Sequence, residues 1–209
     1  MSLRTDDSNT RERLLNAAGE IFAERGFRAA TIRDICERAK ANIAAAHYHF
    51  GDKSELYLAA LKWCSTEALK KYPPTLDLPP GAPAEEQLHA FVRSFMFRIA
   101  DKGRPAWYGR LMAREMAEPT TALDALINEI FRPLMEQLER IVHNLTGNTD
   151  SRIILACTRS IIGQCLYYYH ARPVMQRLHP GQTFEPADLE QIARHITKFS
   201  LAGLREYRQ

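Results

Sequence analysis

The sequence predicts an all-α fold of about nine helices in two parts, a three-helix domain over residues 1–53 and a larger helical domain over residues 54–209. Three observations carry this reading. Apolar residues recur at helical spacing through most of the chain, and no stretch alternates convincingly as a half-buried strand would. Gly, Pro and Thr or Asx residues punctuate that pattern where helices start and stop. The 209 residues are 45% apolar and 25% charged, which excludes disorder and a disulfide-stapled miniprotein and allows a substantial core.

The first helix runs from about Thr10 to Arg25, burying Leu14, Ala18, Ile21 and Phe22, and Gly26 supplies its stop. Thr31 is placed to cap a second helix, Ile32 to about Ala39, with Asp34 three positions on in a capping-box arrangement. A short third helix follows Asn42 and ends at Phe50-Gly51. Asp52 then caps a fourth, which carries Leu56, Leu61, Trp63 and Leu69 and stops before Pro73-Pro74. Residues 73–83, PPTLDLPPGAP, hold five of the eleven prolines and form a stiff loop between the two parts.

Beyond the loop, the fifth helix has a stripe of Leu88, Phe91, Val92, Phe95 and Ile99. A shorter sixth lies between Pro105 and Pro119. The seventh starts after Thr121 and reaches about Leu145, with a kink expected at Pro133, whose ring removes a helical donor. The eighth runs from about Ser151 to Ala171 and is apolar on more than one face. The ninth, Leu189 to about Tyr207, has Leu189, Ile192, Ile196 and Phe199 on one side.

Net charge is +3, which decides little. Residues 1–53 hold nine Lys and Arg against eight Asp and Glu, but from Arg25 to Lys53 the balance is six against three. An argument for nucleic acid therefore rests on local placement of charge. No stretch approaches the ~20 apolar residues needed to span a bilayer, and the polar start MSLRTDDSNTRERLL lacks a secretory apolar segment. A cytoplasmic protein with no membrane partner is expected. Cys36, Cys64, Cys157 and Cys165 have no metal-ligand spacing and read as small apolar side chains in a reducing compartment.

The second and third helices are joined by about three residues, the spacing of a helix-turn-helix that fits a recognition helix into the DNA major groove. An ordinary helical hairpin has the same spacing. Composition separates the two. The third helix, NIAAAHYHF, is small at its start, where close approach to base edges and thymine methyls is needed. At its end His47, Tyr48 and His49 can donate to phosphates, and Lys53 adds a cation beside a helix N-terminus.

These residues resemble the TetR family of transcriptional regulators. The likeness is carried by TRERLLNAAGEIFAERGF and ATIRDICERAKANIAAAHYHFGDKSELYLAAL over residues 10–61, above all by Tyr48-His49-Phe50 followed by Lys53 and Leu56. The wording of the third helix is similar to the CecR-like branch, as are WYGRLMAREMAEPT (107–120), RPLMEQL (132–138) and GQCLYYYHARPV (163–174). Two positions depart from the family pattern. Lys40 stands in the turn where members usually carry Gly, which costs on the order of 1 kcal/mol if that residue is left-handed. His47 stands where many members have Tyr.

The resemblance implies a homodimer that places two recognition helices in successive major grooves of an operator, and a C-terminal domain that binds a small effector. Matched position by position, Thr31, Tyr48 and Lys53 would hold phosphates, while Arg33, Asn42, Ile43, Ala44 and Ala45 would face bases.

Phe91, Phe95, Met96, Trp107, Met112 and Met116 form an aromatic and Met-rich set that reads either as core or as the lining of an apolar cavity. Arg110, Arg114, Gln164 and Tyr168 could orient a small apolar or amphipathic effector there, although Arg114 beside Glu115 is alternatively an ion pair. For the dimer, the apolar stripe of the ninth helix and a broadly apolar eighth need more cover than the remaining helices offer. Gly163 and Gly203 inside them suggest close helix approach, so Ile161, Gly163, Ile192, Ile196, Phe199 and Gly203 are expected at a four-helix interface across a twofold axis.

His47 and His49 lie ~200° apart around a helix and cannot share a metal, and the other histidines are scattered. There is no Gly-rich phosphate loop, nucleophile elbow or HExxH motif. The expectation is a ligand-responsive repressor that binds a palindromic double-stranded operator, with no cofactor, metal or catalytic group. The alternative is a DNA-binding protein of this fold that works architecturally or through a protein partner, without an effector.

Overall fold

The computed structural model describes residues 3–101, 107–181 and 183–209, with side chains from residue 9 onward. Among them are eleven α-helices and one π-helical turn, where the sequence suggested about nine helices. They are α1 (Leu3–Ala29), α2 (Ile32–Ala39), α3 (Ile43–Phe50), α4 (Lys53–Lys71), α5 (Ala84–Ala100), α6 (Tyr108–Ala117) and α7 (Ala122–Leu126). After the π turn (Ile127–Phe131) come α8 (Arg132–Thr146), α9 (Ser151–His170), α10 (Arg172–Leu178) and α11 (Pro186–Arg205).

The caps expected at Thr31 and Asp52 form, and Asn42 adds a third. The Thr31 hydroxyl accepts from the Asp34 N–H at 3.1 Å, Asn42 Oδ1 from the Ala45 N–H at 2.6 Å, and Asp52 Oδ1 from the Ser54 and Glu55 N–H groups at 2.7 and 2.9 Å. Gly26 breaks α1 at φ 79°, ψ 168°, and a second short helical stretch follows it to Ala29. The long helix expected from Thr121 to Leu145 is resolved into α7, the π turn and α8. Pro133 sits at the second position of α8, where its missing N–H costs nothing, so the disturbance falls in the wider turn before it. The helix α10 was not expected, because its seven residues bury only Met175 and carry no periodic signal. Pro105, the expected lower limit of the sixth helix, lies outside the described residues.

The chain forms two compact units, residues 1–68 with 101–130 and residues 69–100 with 131–209. This differs from the boundary at residue 53 drawn from the sequence, because most of α4 together with α6 and α7 belongs to the first unit. In that unit α1 packs on α2, α3 and α6 around Leu14, Leu15, Ile21, Phe22, Ile35, Leu56, Leu61 and Leu111. Close approach of α6's start to α1 requires Gly19: a Cβ there would stand 2.0 Å from the Trp107 ring, which also stacks on Trp63 at 5.9 Å. In the second unit α5 lies against α8, α9 and α11, burying Leu88, Phe91, Val92 and Met96 with Leu138, Val142, Ile161, Ile192 and Ile196. Among the described residues no helix is long and apolar enough to cross a membrane.

Candidate nucleic-acid interface

The α2–α3 pair is held in place by its own polar side chains. Arg25 pairs with Asp34 at 2.9 Å and Arg38 with Glu20 at 3.0 Å, tying α2 to α1. The Thr31 hydroxyl, and then Arg25, hold the Asp34 carboxyl below its usual range. The turn is Lys40-Ala41-Asn42, with Lys40 left-handed at φ 51°, ψ 45° and its N–H directed to the Cys36 and Glu37 carbonyls. From that turn α3 buries Ala46 and Phe50 and presents the opposite face to solvent: Ile43 is 47% and Tyr48 79% exposed, with Ala44 and His47 beside them.

The structure places the expected DNA-facing residues at the start of α2, in the turn before α3, along α3 and at the start of α4, and it qualifies several roles. Arg33 is exposed and pairs with Glu37 one turn away, at 3.2 Å. Ala45 and His49 are half-buried, the latter with its ring 5.2 Å from Tyr48 and 6.0 Å from Phe50. Thr31 spends its one hydroxyl proton on Asp34 Oδ2 at 2.7 Å, so here it caps a helix and offers no donor to a phosphate. Asn42 is exposed and uses its side-chain oxygen as a cap, a bond that does not engage the two donors of its NH2. His47 Nδ1 donates to the Gly51 carbonyl at 2.6 Å, leaving Nε2 an acceptor while the ring is neutral. Lys53 turns back onto α1: its Nζ donates to the Arg28 carbonyl at 3.2 Å and lies 4.7 Å from the Phe27 ring centroid.

One polar link in this unit had no sequence signal beyond an acidic residue next to Arg114. Glu115 is fully buried on α6 and accepts from Tyr57 Oη at 2.8 Å and from the Thr120 N–H at 2.9 Å. Burial, then the Glu115 hydrogen bond, drive the Tyr57 phenol pKa strongly upward. Arg114 does not pair with Glu115; it donates to the Ala23 and Glu24 carbonyls, both at 2.8 Å, just before the break in α1.

The expected effector residues are divided between the two units. In the first, Trp107 and Met112 are buried, Arg110 is exposed and Arg114 is engaged as described. In the second, Phe91 is core, Phe95 lies under the Arg98 guanidinium at 5.6 Å, Tyr168 packs on the core edge, and Gln164 donates to the Ser200 hydroxyl at 3.2 Å. The expected dimer residues split as well. Ile161, Ile192 and Ile196 are buried in the core of their own unit, because α5 covers the stripe that the sequence reading left uncovered. They are not available to a partner. Phe199 is 63% exposed, and a Cβ at Gly163 or Gly203 would meet nothing within 4 Å. Burial raises all four free thiols, Cys165 to about 12, as suits packing residues.

Residues 14–60 match the family model of bacterial regulatory proteins of the tetR family, and residues 84–204 match that of the C-terminal domain of the HTH-type transcriptional dual regulator CecR. The chain belongs to the TetR family of transcriptional regulators, in its CecR-like branch. It is 29% identical over 198 residues to the dual regulator CecR of Shigella flexneri, covering 90% of this chain and 87% of that one. A shorter stretch of 61 residues is 41% identical to the repressor AcnR of Corynebacterium efficiens, 28% of this chain and 32% of the relative. The TetR-family fold recurs in a regulator from Streptomyces coelicolor, with TM-score 0.70 and 18% identity over 95% of this chain and 97% of that one. A putative transcriptional regulator from Pseudomonas aeruginosa PAO1 superposes with TM-score 0.70 and 20% identity, over 95% and 93% of the two chains.

Proposed function

We propose that this TetR-family chain is a dimeric transcriptional repressor that reads a palindromic operator through α3 and is released by a small apolar or amphipathic effector. The outward face of α3 carries the reading. An eight-residue helix with Asn42 as its cap exposes Ile43, Ala44 and Tyr48, small and apolar at its start and aromatic toward its end, while Ala46 and Phe50 anchor it. Small residues suit contact with base edges, and a phenol suits a phosphate. Arg33 adds a guanidinium whose surface pair with Glu37 is too weak to hold it from DNA.

Dimerisation is supported by the solvent face shared by α9 and α11, where Tyr167 and Phe199 stand exposed beside the open glycines Gly163 and Gly203. Glycine in a helix interior costs ~1 kcal/mol, and close approach of a second copy would offset it. Two half-sites one DNA turn apart then match two recognition helices. An effector acts through different affinity for the DNA-competent and incompetent states of the dimer. Its apolar character rests on the aromatic and Met-rich composition of the sequence, Phe91, Phe95, Met96, Trp107, Met112 and Met116, and no catalytic role is assigned.

Iterative selection from a random duplex pool tests the reading. Wild type should enrich an inverted repeat. Tyr48→Ala should keep the fold and bind both selected and random duplexes ~5- to 10-fold more weakly, with little change in salt dependence, since a phenol carries no charge. Enrichment of no sequence would remove the operator-reading role.

A further inference from the structure

The segment Arg25–Lys53 carries six cations, and the structure accounts for four of them inside the chain. Arg25 pairs with Asp34, Arg33 with Glu37, Arg38 with Glu20 and Glu24, and Lys53 rests on the Arg28 carbonyl and the Phe27 ring. Arg28 and Lys40 have no hydrogen bond from the side chain and no ion pair among the described residues. Of these two, Lys40 is also the strained one. It is left-handed, φ 51°, in the turn that sets the angle between α2 and α3. A side chain with a Cβ is disfavoured there and glycine is not.

The turn itself does not need lysine. Its geometry is fixed by backbone groups, the Lys40 N–H to Glu37 O at 3.3 Å and the Ala41 N–H to Cys36 O at 3.0 Å, and by the Asn42 cap that follows. The Lys40 side chain is exposed and adds nothing to these bonds. Strain that the fold does not use points to a contact outside the chain. Two residues separate Lys40 from Ile43, the first residue of the DNA-facing helix. A flexible stem of four methylenes ending in a strongly hydrated ammonium is suited to a phosphate and not to the edge of one particular base.

We infer that Lys40 is a phosphate clamp of the DNA interface, an additional backbone contact that fixes the depth and register of α3 and carries no sequence information. The inference rests on the operator-reading function proposed above. A turn cation of this kind strengthens binding to every sequence, so it shortens the search for an operator as much as it stabilises the final complex. Its cost is borne by the folded chain alone, which gives the residue an unusual signature: its removal relieves the fold while weakening the complex.

The test compares wild type, Lys40→Gly, Lys40→Gln and Lys40→Arg on a duplex selected by the wild-type protein and on a random duplex of the same length, across a salt series. Lys40→Gly should melt no lower than the parent. Lys40→Gly and Lys40→Gln should each lose ~10-fold or more in affinity on both duplexes, and the slope of log affinity against log salt should fall in magnitude by ~2 for a twofold dimer. Lys40→Arg, which keeps the charge, should retain the parent slope. An unchanged slope in both uncharged variants overturns the clamp, as does a loss confined to the selected duplex. If the wild type itself selects no duplex, it is the operator reading that has failed; a wild type that binds while the Lys40 variants match it fails only the clamp.

Discussion

The α2–α3 pair and the α9–α11 pair both present large side chains to solvent, Ile43 and Tyr48 on the first and Tyr167 and Phe199 on the second, yet they are aimed by opposite means. Helices α2 and α3 are eight residues each, too short to be stable alone, and their direction is set by local polar bonds. Thr31 and Asn42 cap them, Lys40 makes the turn, and Arg25 and Arg38 tie α2 to α1. Helices α9 and α11 are twenty residues each, and their outward faces are what remains after Ile161, Ile192 and Ile196 have been drawn into the core. One face is written in caps and the other is left over from packing.

This contrast orders the effects of substitution. Ile196→Ala empties a fully buried position in the second unit and should cost ~2–5 kcal/mol in urea unfolding, chiefly through the cavity it leaves. A loss below ~1 kcal/mol would mean that the stripe of α11 is not core, and the interface expected from the sequence would regain its place. Asn42→Ala removes only a cap and should cost about 1 kcal/mol, with its damage concentrated in α3. Hydrogen exchange should show the amides of α3 opening first; uniform loss of protection across the first unit would indicate that packing, not capping, aims this helix.

The smallest effect is one of pH. Asp34 titrates below its usual value, so its bonds to Thr31 and Arg25 contribute stability above the ordinary carboxylate range, and that contribution is lost as pH falls through the folded value. The thermal midpoints of wild type and Asp34→Asn should therefore differ at neutral pH and converge in acid. A gap that persists below pH ~2 would place the effect in the shape of the side chain and not in its charge.

The same contrast explains how far the sequence could be read. Caps depend on residues three apart, and Thr31 and Asp52 were legible as N-caps and Asn42 as the residue before the third helix, as was the three-residue turn. Their double use was not. That Thr31 gives its proton to Asp34, or that Lys53 folds back on Arg28, depends on rotamers that no spacing encodes. In the second unit helix positions were legible from periodicity, but the choice of inward face was not, because α9 and α11 carry more apolar residues than one face can hold. α5 settles that choice through contacts some hundred residues apart in sequence, such as His89 with Thr197 at 3.3 Å and Arg93 with Glu190. Helix α10 escaped for a related reason: Val174 and Leu178 face solvent, so its apolar residues follow no buried stripe.

The most direct test of the central claim, that α3 reads DNA as one half of a dimer joined through the exposed face of α9 and α11, is a hydroxyl-radical footprint. It compares wild type and Phe199→Glu on one selected duplex, with sedimentation of the same samples. Phe199 lies outside the core, so the variant should keep its helix content while two buried charges near the axis separate the copies. The account predicts two protected patches about one DNA turn apart, ~34–36 Å, for the wild type, and loss of both for a variant that sediments as a folded monomer. A folded Phe199→Glu dimer that leaves the wild-type footprint would contradict it.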